Sequence, residues 1–303
     1  MRATLIHNPG AGEGQWPADD LLAPLRAAGY EPGYCSSKDP AFAEALADPG
    51  ELVIAAGGDG TVAQVATRLE RRDVPLAILP LGTANNIART LGIADEPLAV
   101  IAGLRDAERR RLDVGIARAP WGESRFVEAV GLGLFARLLA VADGADDAPG
   151  KHAPADDQLA HGLRALLRLL HEHRAHARRI TADGAELSGR YLLVAAMSIR
   201  SIGPRLMLAP DADPGDGALD LVLVADDDRA ALAEYLTRRL AGDTPRFGIP
   251  ARRVRRLRLE WDPSEGHVDD ERWPGKRRDQ PDTPPMVDVT LTGAPIEVLV
   301  PRG

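Results

Sequence analysis

The run Gly57-Gly58-Asp59-Gly60-Thr61, set directly after the apolar segment Leu52-Val53-Ile54-Ala55-Ala56, constrains this chain more than any other feature. A buried strand that empties into glycines and then opens a helix brings backbone N–H groups close to an anion. The glycines permit close backbone approach and positive φ, and a helix starting near Thr61 points its positive end at the ligand. Asp59 sits in the same turn, where a carboxylate repels phosphate. A magnesium ion, which takes carboxylate and phosphate oxygens together, removes the conflict. The segment reads as a nucleotide site that uses Mg²⁺.

Two further turns share this grammar. Leu79-Pro80-Leu81-Gly82-Thr83-Ala84-Asn85-Asn86 again follows an apolar run and opens a helix, with Thr83 and Asn85 able either to bind phosphate or to cap. Asn8-Pro9-Gly10-Ala11-Gly12-Glu13-Gly14 follows the run Ala3–His7, but Gln15 stands where a dinucleotide fingerprint needs its last glycine. Lysine occurs only at Lys38, Lys151 and Lys276, none of them in a Walker-type P-loop.

At 303 residues the chain has length for two domains. Buried strands are predicted at Ala3–His7, Glu31–Cys35, Leu52–Ala56 and Leu76–Leu79, alternating with helices near Asp19–Ala28, Pro40–Leu46 and Thr61–Leu69, with Asp19 and Asp39 as N-caps. That alternation predicts an α/β domain with a parallel sheet over residues 1–115. Residues 116–303 carry short runs divided by Gly, Pro and Asp, at Ile116–Arg118, Arg125–Val130, Arg178–Ala182, Tyr191–Met197, Leu219–Val224, Val254–Trp261, Val287–Leu291 and Ile296–Val300. They predict a β-rich, sandwich-like domain interrupted by helices at Leu159–His176 and Arg229–Leu240. Asp143–Asp157 and Trp273–Pro285 read as surface loops.

A net charge of −8 argues against nucleic acid as a partner, and no segment reaches the roughly 18–20 apolar residues of a membrane span. The opening residues read as a strand and not as a secretory signal. A lone cysteine, Cys35, rules out an internal disulfide and fits a reducing compartment. The expected location is cytoplasmic, with peripheral contact at the inner membrane face.

The succession Asn8-Pro9-x-x-Gly12, Gly57–Thr61 and Pro80–Asn85 resembles the diacylglycerol kinase catalytic family, which includes bacterial lipid kinases and sphingosine kinases and is related to NAD kinases. The likeness continues through Val130–Ala136, Ala209–Asp220 and Val268-Asp269-Asp270-Glu271, so it spans nearly the whole chain in order. It implies a diacylglycerol kinase-like fold and Mg-ATP as phosphoryl donor. The implied acceptor is a lipid alcohol such as diacylglycerol or a sphingoid base. Asn8, Gly12, Gly57, Gly58, Gly60, Thr61 and Thr83 would contact ATP, with Ser36 or Ser37 beside the phosphates. Asp59 and Asp113 would belong to the magnesium network. Asp269 and Glu271 would be catalytic carboxylates that take the hydroxyl proton, although a solvated acidic turn also fits these residue types. Asp213, Asp216 and the carbonyl of Ala218 resemble a second metal site, or form an Asp-Gly hairpin.

Two positions depart from the family pattern. Asn86 stands where many relatives carry Asp, which removes a carboxylate. Asp270 replaces the glycine of Asp-Gly-Glu at a position expected to need positive φ. His161, His171, His173 and His176 read as a solvated helix surface, because His171 and His173 lie about 200° apart on a helix. Arg164 and Arg168 on that helix are candidates for anionic head groups. The reading is a two-domain lipid kinase with its site in the interdomain cleft. An NAD kinase and a nucleotide-binding regulator without turnover are the alternatives. The oligomeric state is not legible.

Overall fold

The computed structural model describes residues 1–142, 153–275 and 284–302. Lys151, Lys276 and much of the two loops read at Asp143–Asp157 and Trp273–Pro285 lie outside the described residues. The chain forms two compact units. One holds Met1–Val114, Pro214–Asp216 and Gly293–Gly303; the other holds Gly115–Asp213 and Gly217–Thr292.

The first unit runs β1 (Arg2–His7), α1 (Ala18–Ala27), β2 (Glu31–Ser36), α2 (Phe42–Ala47), β3 (Leu52–Gly57), α3 (Asp59–Arg68), β4 (Leu76–Pro80), α4 (Asn86–Leu91), α5 (Pro97–Gly103) and β5 (Glu108–Leu112). Strands β2, β1, β3 and β4 lie parallel in that order. Every residue of β3 and β4 is buried, as uninterrupted apolar runs in a doubly covered parallel sheet must be. The helix boundaries differ in detail from the sequence reading. Pro17, not Asp19, precedes α1. Asp39 accepts the N–H of Ala41 at 2.8 Å in a turn of its own, so α2 starts three residues after it.

The division at residue 115/116 needs one correction. Ile296–Val300, assigned from sequence to the β-rich domain, is the fifth strand of the first sheet, parallel to β4 and antiparallel to β5. Strand β4 is fully buried and needs a partner on its second edge, which this apolar segment supplies.

The second unit begins with β6 (Gly115–Ala119), β7 (Gly122–Phe126), β8 (Ala129–Gly133), α6 (Leu134–Ala142), α7 (Ala155–Glu172), β9 (His176–Arg178), β10 (Ile180–Ala182), β11 (Ala185–Glu186) and β12 (Gly189–Met197). A small hairpin, β13 (Ser201–Ile202) and β14 (Leu206–Met207), precedes β15 (Leu219–Ala225) and α8 (Arg229–Leu240). Strands β16 (Arg252–Val254), β17 (Arg256–Glu260), β18 (Gly266–Val268), β19 (Glu271–Arg272) and β20 (Met286–Leu291) complete it, and Ile296–Val300 is β21. Its two main sheets are antiparallel, ordered β11-β10-β17-β20-β6-β7 and β16-β15-β12-β8-β18-β19.

Alternation sorts the side chains into layers. Val130, Leu132, Val194, Ala196, Leu219 and Leu221 point into a core shared with Leu257, Leu259, Val287 and Val289 of the other sheet. Their neighbours Ala129, Leu193, Ala195, Met197, Val222 and Val224 face a second core built with α6, α7 and α8. The sandwich expected from sequence is therefore covered on one side by three helices. The outer face of the other sheet carries a cross-strand row Glu186, Thr181, Arg258, Asp288, Arg118, Glu123, largely of alternating charge. Such a face favours water over apolar partners.

Three predicted strands are each two. Arg125–Val130 breaks at Val127-Glu128, Arg178–Ala182 at Arg179, and Val254–Trp261 at Arg255. Helix α7 ends at Glu172, short of His176, so His173 and His176 lie beyond it, and His173 leaves the solvated surface assigned to it. His173 is buried, its Nε2 lies 3.0 Å from the Leu192 carbonyl, and its ring stacks on His176. Burial, reinforced by the nearby Arg137 charge, lowers the His173 pKa to about 4.

Beside it, Arg178 and Glu265 form a buried ion pair at 2.6 Å, each side chain 8% exposed. Glu265→Gln should lower stability by about 3 kcal/mol, because it removes the charged partner at 2.6 Å from a buried guanidinium and leaves it only Asp262 at 3.7 Å. Glu260→Gln, in the pair that exposed Arg179 makes, should lower it by about 0–1 kcal/mol. Urea unfolding of both variants distinguishes the two costs.

Candidate active site

The strand order of the first unit fixes where a ligand can bind. From β1 the chain moves outward to β2, then returns past β1 to β3 and on to β4. The order reverses between β1 and β3, and in open α/β sheets the crevice outside the carboxyl ends at such a switch point takes the ligand. The registers His7↔Ser36, His7↔Ala56 and Gly57↔Pro80 bring four strand ends to one edge. Asn8, Ser36, Gly57–Gly58 and Leu81–Gly82 all lie there.

Of the two properties expected of the glycines in these loops, close backbone approach is the one that Gly57, Gly58 and Gly82 use. Among the described residues, Gly57, Gly58 and Gly60 are absent from the positive-φ set, so conformational freedom is not their role. A Cβ on Gly82 would lie 2.4 Å from the Cα of Gly58, and one on Gly57 would lie 2.4 Å from Thr61 Oγ1. Two loops touch backbone to backbone, and only glycine fits. Gly12 combines both demands: its φ is +56°, and a Cβ there would meet the Leu81 carbonyl at 2.8 Å. Gly60 differs, since a Cβ there meets nothing within 4 Å.

Helix α3 begins at Asp59, two residues earlier than predicted, with Gly58 as its N-cap. Asp59 is therefore not in the middle of a loop. Its buried carboxylate accepts the backbone N–H groups of Asn86 at 2.9 Å and Ile87 at 3.0 Å, filling the start of α4 with the protein's own anion. Thr61 is buried, and Thr83 is half-buried beside Gly82. Asn85, at φ +51°, bridges Gly82 with both arms of its amide and so caps the loop instead of the helix. Asn8 Oδ1 accepts the Gly10 N–H, and Ser36 Oγ accepts the Lys38 N–H.

Asp113 is buried just after β5, and its N–H donates to the Pro214 carbonyl at 2.6 Å. Asp213 is exposed, Asp216 half-buried and Ala218 buried, on the segment entering β15. Among the described residues no three His, Cys, Asp or Glu side chains cluster as a metal cage.

In the second unit, β18 and β19 form a hairpin whose two-residue loop is Asp269-Asp270. The positive φ falls on Asp269 (+47°), not on Asp270 as the sequence reading required. Primed turns need it at the first loop position, and for a non-glycine residue it costs about 1–2 kcal/mol. The turn recovers that cost through the Asp269 carboxylate. Oδ1 accepts Glu128 N–H at 2.8 Å and Ala129 N–H at 3.1 Å, and the Val127 N–H reaches Oδ2 at 3.2 Å. These three amides are the ones exposed by the break between β7 and β8, which is why one predicted strand became two. Burial pushes the Asp269 carboxyl up to about 7, with the three N–H donors pulling the other way and the Asp270 charge adding to the rise. Glu271 is exposed on β19. The turn is thus no mere solvated acidic loop, since its first carboxylate is built into the fold.

A profile of the diacylglycerol kinase catalytic domain matches residues 2–117, and one of the YegS C-terminal NAD kinase beta sandwich-like domain matches residues 140–270. A diacylglycerol kinase of Bacillus subtilis is 30% identical over 245 residues, covering 78% of this chain and 76% of its own. The chain belongs to the diacylglycerol kinase family. A probable lipid kinase, YegS-like, of Pseudomonas aeruginosa is 33% identical over 183 residues, 60% of this chain and 57% of that protein. A solved diacylglycerol kinase of Bacillus anthracis superposes with a TM-score of 0.66 at 23% identity, covering 99% of this chain and 96% of that one. An NAD kinase of Archaeoglobus fulgidus in complex with ATP shares the fold more distantly, with a TM-score of 0.52 at 13% identity over 100% and 94% of the two chains. The family member described here thus has the α/β and antiparallel β-rich domains expected of its relatives.

Arg164 and Arg168 are exposed on α7. Among the described residues no helix is long and apolar enough to cross a membrane. A groove of about 760 Å³ opens at the amino ends of the strands of the first sheet, lined by residues including Tyr30, Arg71, Asp73 and Arg109. It is at the wrong end of the strands for the loops above, and Arg71 and Arg109 are already paired with Asp73 and Glu297.

Proposed function

We propose that this chain transfers the γ-phosphate of ATP to the hydroxyl of a lipid alcohol, diacylglycerol- or sphingoid-like, with Mg²⁺. The convergence of the loops after β1, β2, β3 and β4 on one sheet edge, at a strand-order reversal, is the observation that carries this reading. Asn8, Gly12, Ser36, Gly57, Gly58, Gly60, Thr61 and Thr83 would hold the nucleotide. Asp59 and Asp113 would hold magnesium, whose charge neutralises the transferring phosphoryl group. Asp269 would take the hydroxyl proton through Oδ2, its more lightly held oxygen, with Glu271 beside it on the hairpin. Asp213, Asp216 and the Ala218 carbonyl would hold a second cation. The acceptor reaches the enzyme from a membrane surface by peripheral contact.

The test is incubation of the protein with labelled ATP, magnesium and a total lipid extract, and in parallel with NAD. A labelled phospholipid is the expected product, with NAD unchanged. Labelled NADP in place of a labelled lipid would make this chain an NAD kinase. Nucleotide binding by calorimetry with no labelled product in either tube would favour a regulator that binds without turnover.

A further inference from the structure

We infer that His267, two residues before Asp269, is a positioning residue that holds Asp269 in its working conformation by a hydrogen bond from its ring to the Asp269 carbonyl. This rests on the role proposed above for Asp269. His267 lies on β18, opposite Gly131 of β8, and is buried. Its Nδ1 is 2.9 Å from the backbone oxygen of Asp269. A carbonyl oxygen only accepts, so Nδ1 carries the proton and the neutral ring leaves Nε2 as a bare acceptor. Nε2 is buried with no hydrogen-bond partner. It packs over Gly131, where a Cβ would come within 2.7 Å of it, and the Phe135 ring meets the imidazole edge-on at 4.8 Å.

An apolar side chain would fill this layer without an orphaned nitrogen. What histidine adds is the Nδ1–H bond, and that bond ends on Asp269. Burial keeps the ring uncharged, with a pKa lowered to about 4, so the tautomer persists at neutral pH. Asp269 is consequently held along its whole length. Its N–H donates to the Ala129 carbonyl at 2.7 Å, its carboxylate accepts the amides of Val127, Glu128 and Ala129, and its carbonyl accepts His267. Without the last of these, the Asp269 carbonyl is released and the residue can relax from its positive φ to the favoured negative range, which reorients its side chain relative to the three amides.

The test compares His267→Leu, which removes the donor, with His267→Asn, whose amide nitrogen occupies the place of Nδ1. Hydrogen exchange of the Asp269, Val127, Glu128 and Ala129 amides is read alongside lipid phosphorylation. In His267→Leu exchange at these amides should accelerate about ten-fold while β12 and β15 stay protected. Its kcat should fall about 10²-fold at unchanged KM for ATP. His267→Asn should restore both. Equal loss in the Asn and Leu variants would reduce His267 to a space-filling residue and overturn the inference, as would a Leu variant with native exchange and turnover. If the Leu variant does not fold, His267→Gln, whose amide sits one bond too far, takes its place with the same expected outcomes. If the wild-type protein phosphorylates no lipid, the lipid-kinase reading falls, and exchange at the four amides alone decides the clamp.

Discussion

Asp269→Asn is expected to lower kcat about 10³-fold while leaving ATP affinity within a factor of two. The substitution isolates charge and basicity from shape. An asparagine Oδ1 still accepts the Glu128 and Ala129 amides, so the hairpin keeps most of its cap, while a neutral NH₂ replaces the oxygen meant to receive a proton. The structural loss is the Val127 N–H bond to Oδ2, which the asparagine NH₂ cannot accept, about 1 kcal/mol, and thermal unfolding measures it separately from turnover. Glu271→Gln tests the second carboxylate. It is exposed and makes no contribution of this kind to the fold, so its loss of turnover should come with unchanged stability. Full activity in both variants would place the base elsewhere.

The pH dependence follows from the same carboxyl. With its pKa at about 7 in the folded protein, the base form is lost as pH falls, so kcat should drop through neutrality toward pH 6. The sign for stability is opposite. A folded-state pKa above the usual carboxylate value means that the native state binds this proton more tightly than the unfolded chain. This one group therefore favours folding at acid pH and opposes it as pH rises from about 4 to 7. In Asp269→Asn that contribution should vanish from the stability profile and the neutral limb from residual turnover.

Much of this arrangement is legible in the residues, and what is not has physical causes. The strands of the first sheet are legible because β3 and β4 are apolar throughout, a pattern that survives any choice of neighbours. The place of β21 is not, because Ile296–Val300 has the composition of any buried strand and its partner is chosen by tertiary pairing. The break at Val127-Glu128 has no local mark either. It exists because a carboxylate more than 130 residues away in sequence receives the freed amides. His267 carries no motif, and only its burial beside the hairpin reveals it. The glycine runs were visible, but their spacing cannot say which glycine faces a ligand and which faces another loop.

That last distinction gives the second large effect. Gly60→Ala should fold normally and lose about 10²-fold in ATP affinity, whereas Gly82→Ala should lose affinity and stability together. Gly82 has no room for a methyl group: Gly58 Cα would lie 2.4 Å from it and Asn85 Oδ1 2.9 Å. Forcing the loops apart costs about 1–3 kcal/mol and moves the N-cap of α3, so binding falls as a consequence of misfolding at the edge. Gly60 lies in the first turn of α3 at negative φ with open space around it, and alanine there should stabilise the helix by about 0.5–1 kcal/mol. The fold gives no reason for a glycine at position 60. A phosphate seated on the first turn of α3 gives one, because a methyl group there would hold the anion away from the helix N–H groups. Calorimetric titration with Mg-ATP and thermal melting of the two variants separate these costs. A Gly60→Ala variant that binds ATP as tightly as the wild type would show that the nucleotide does not rest on α3.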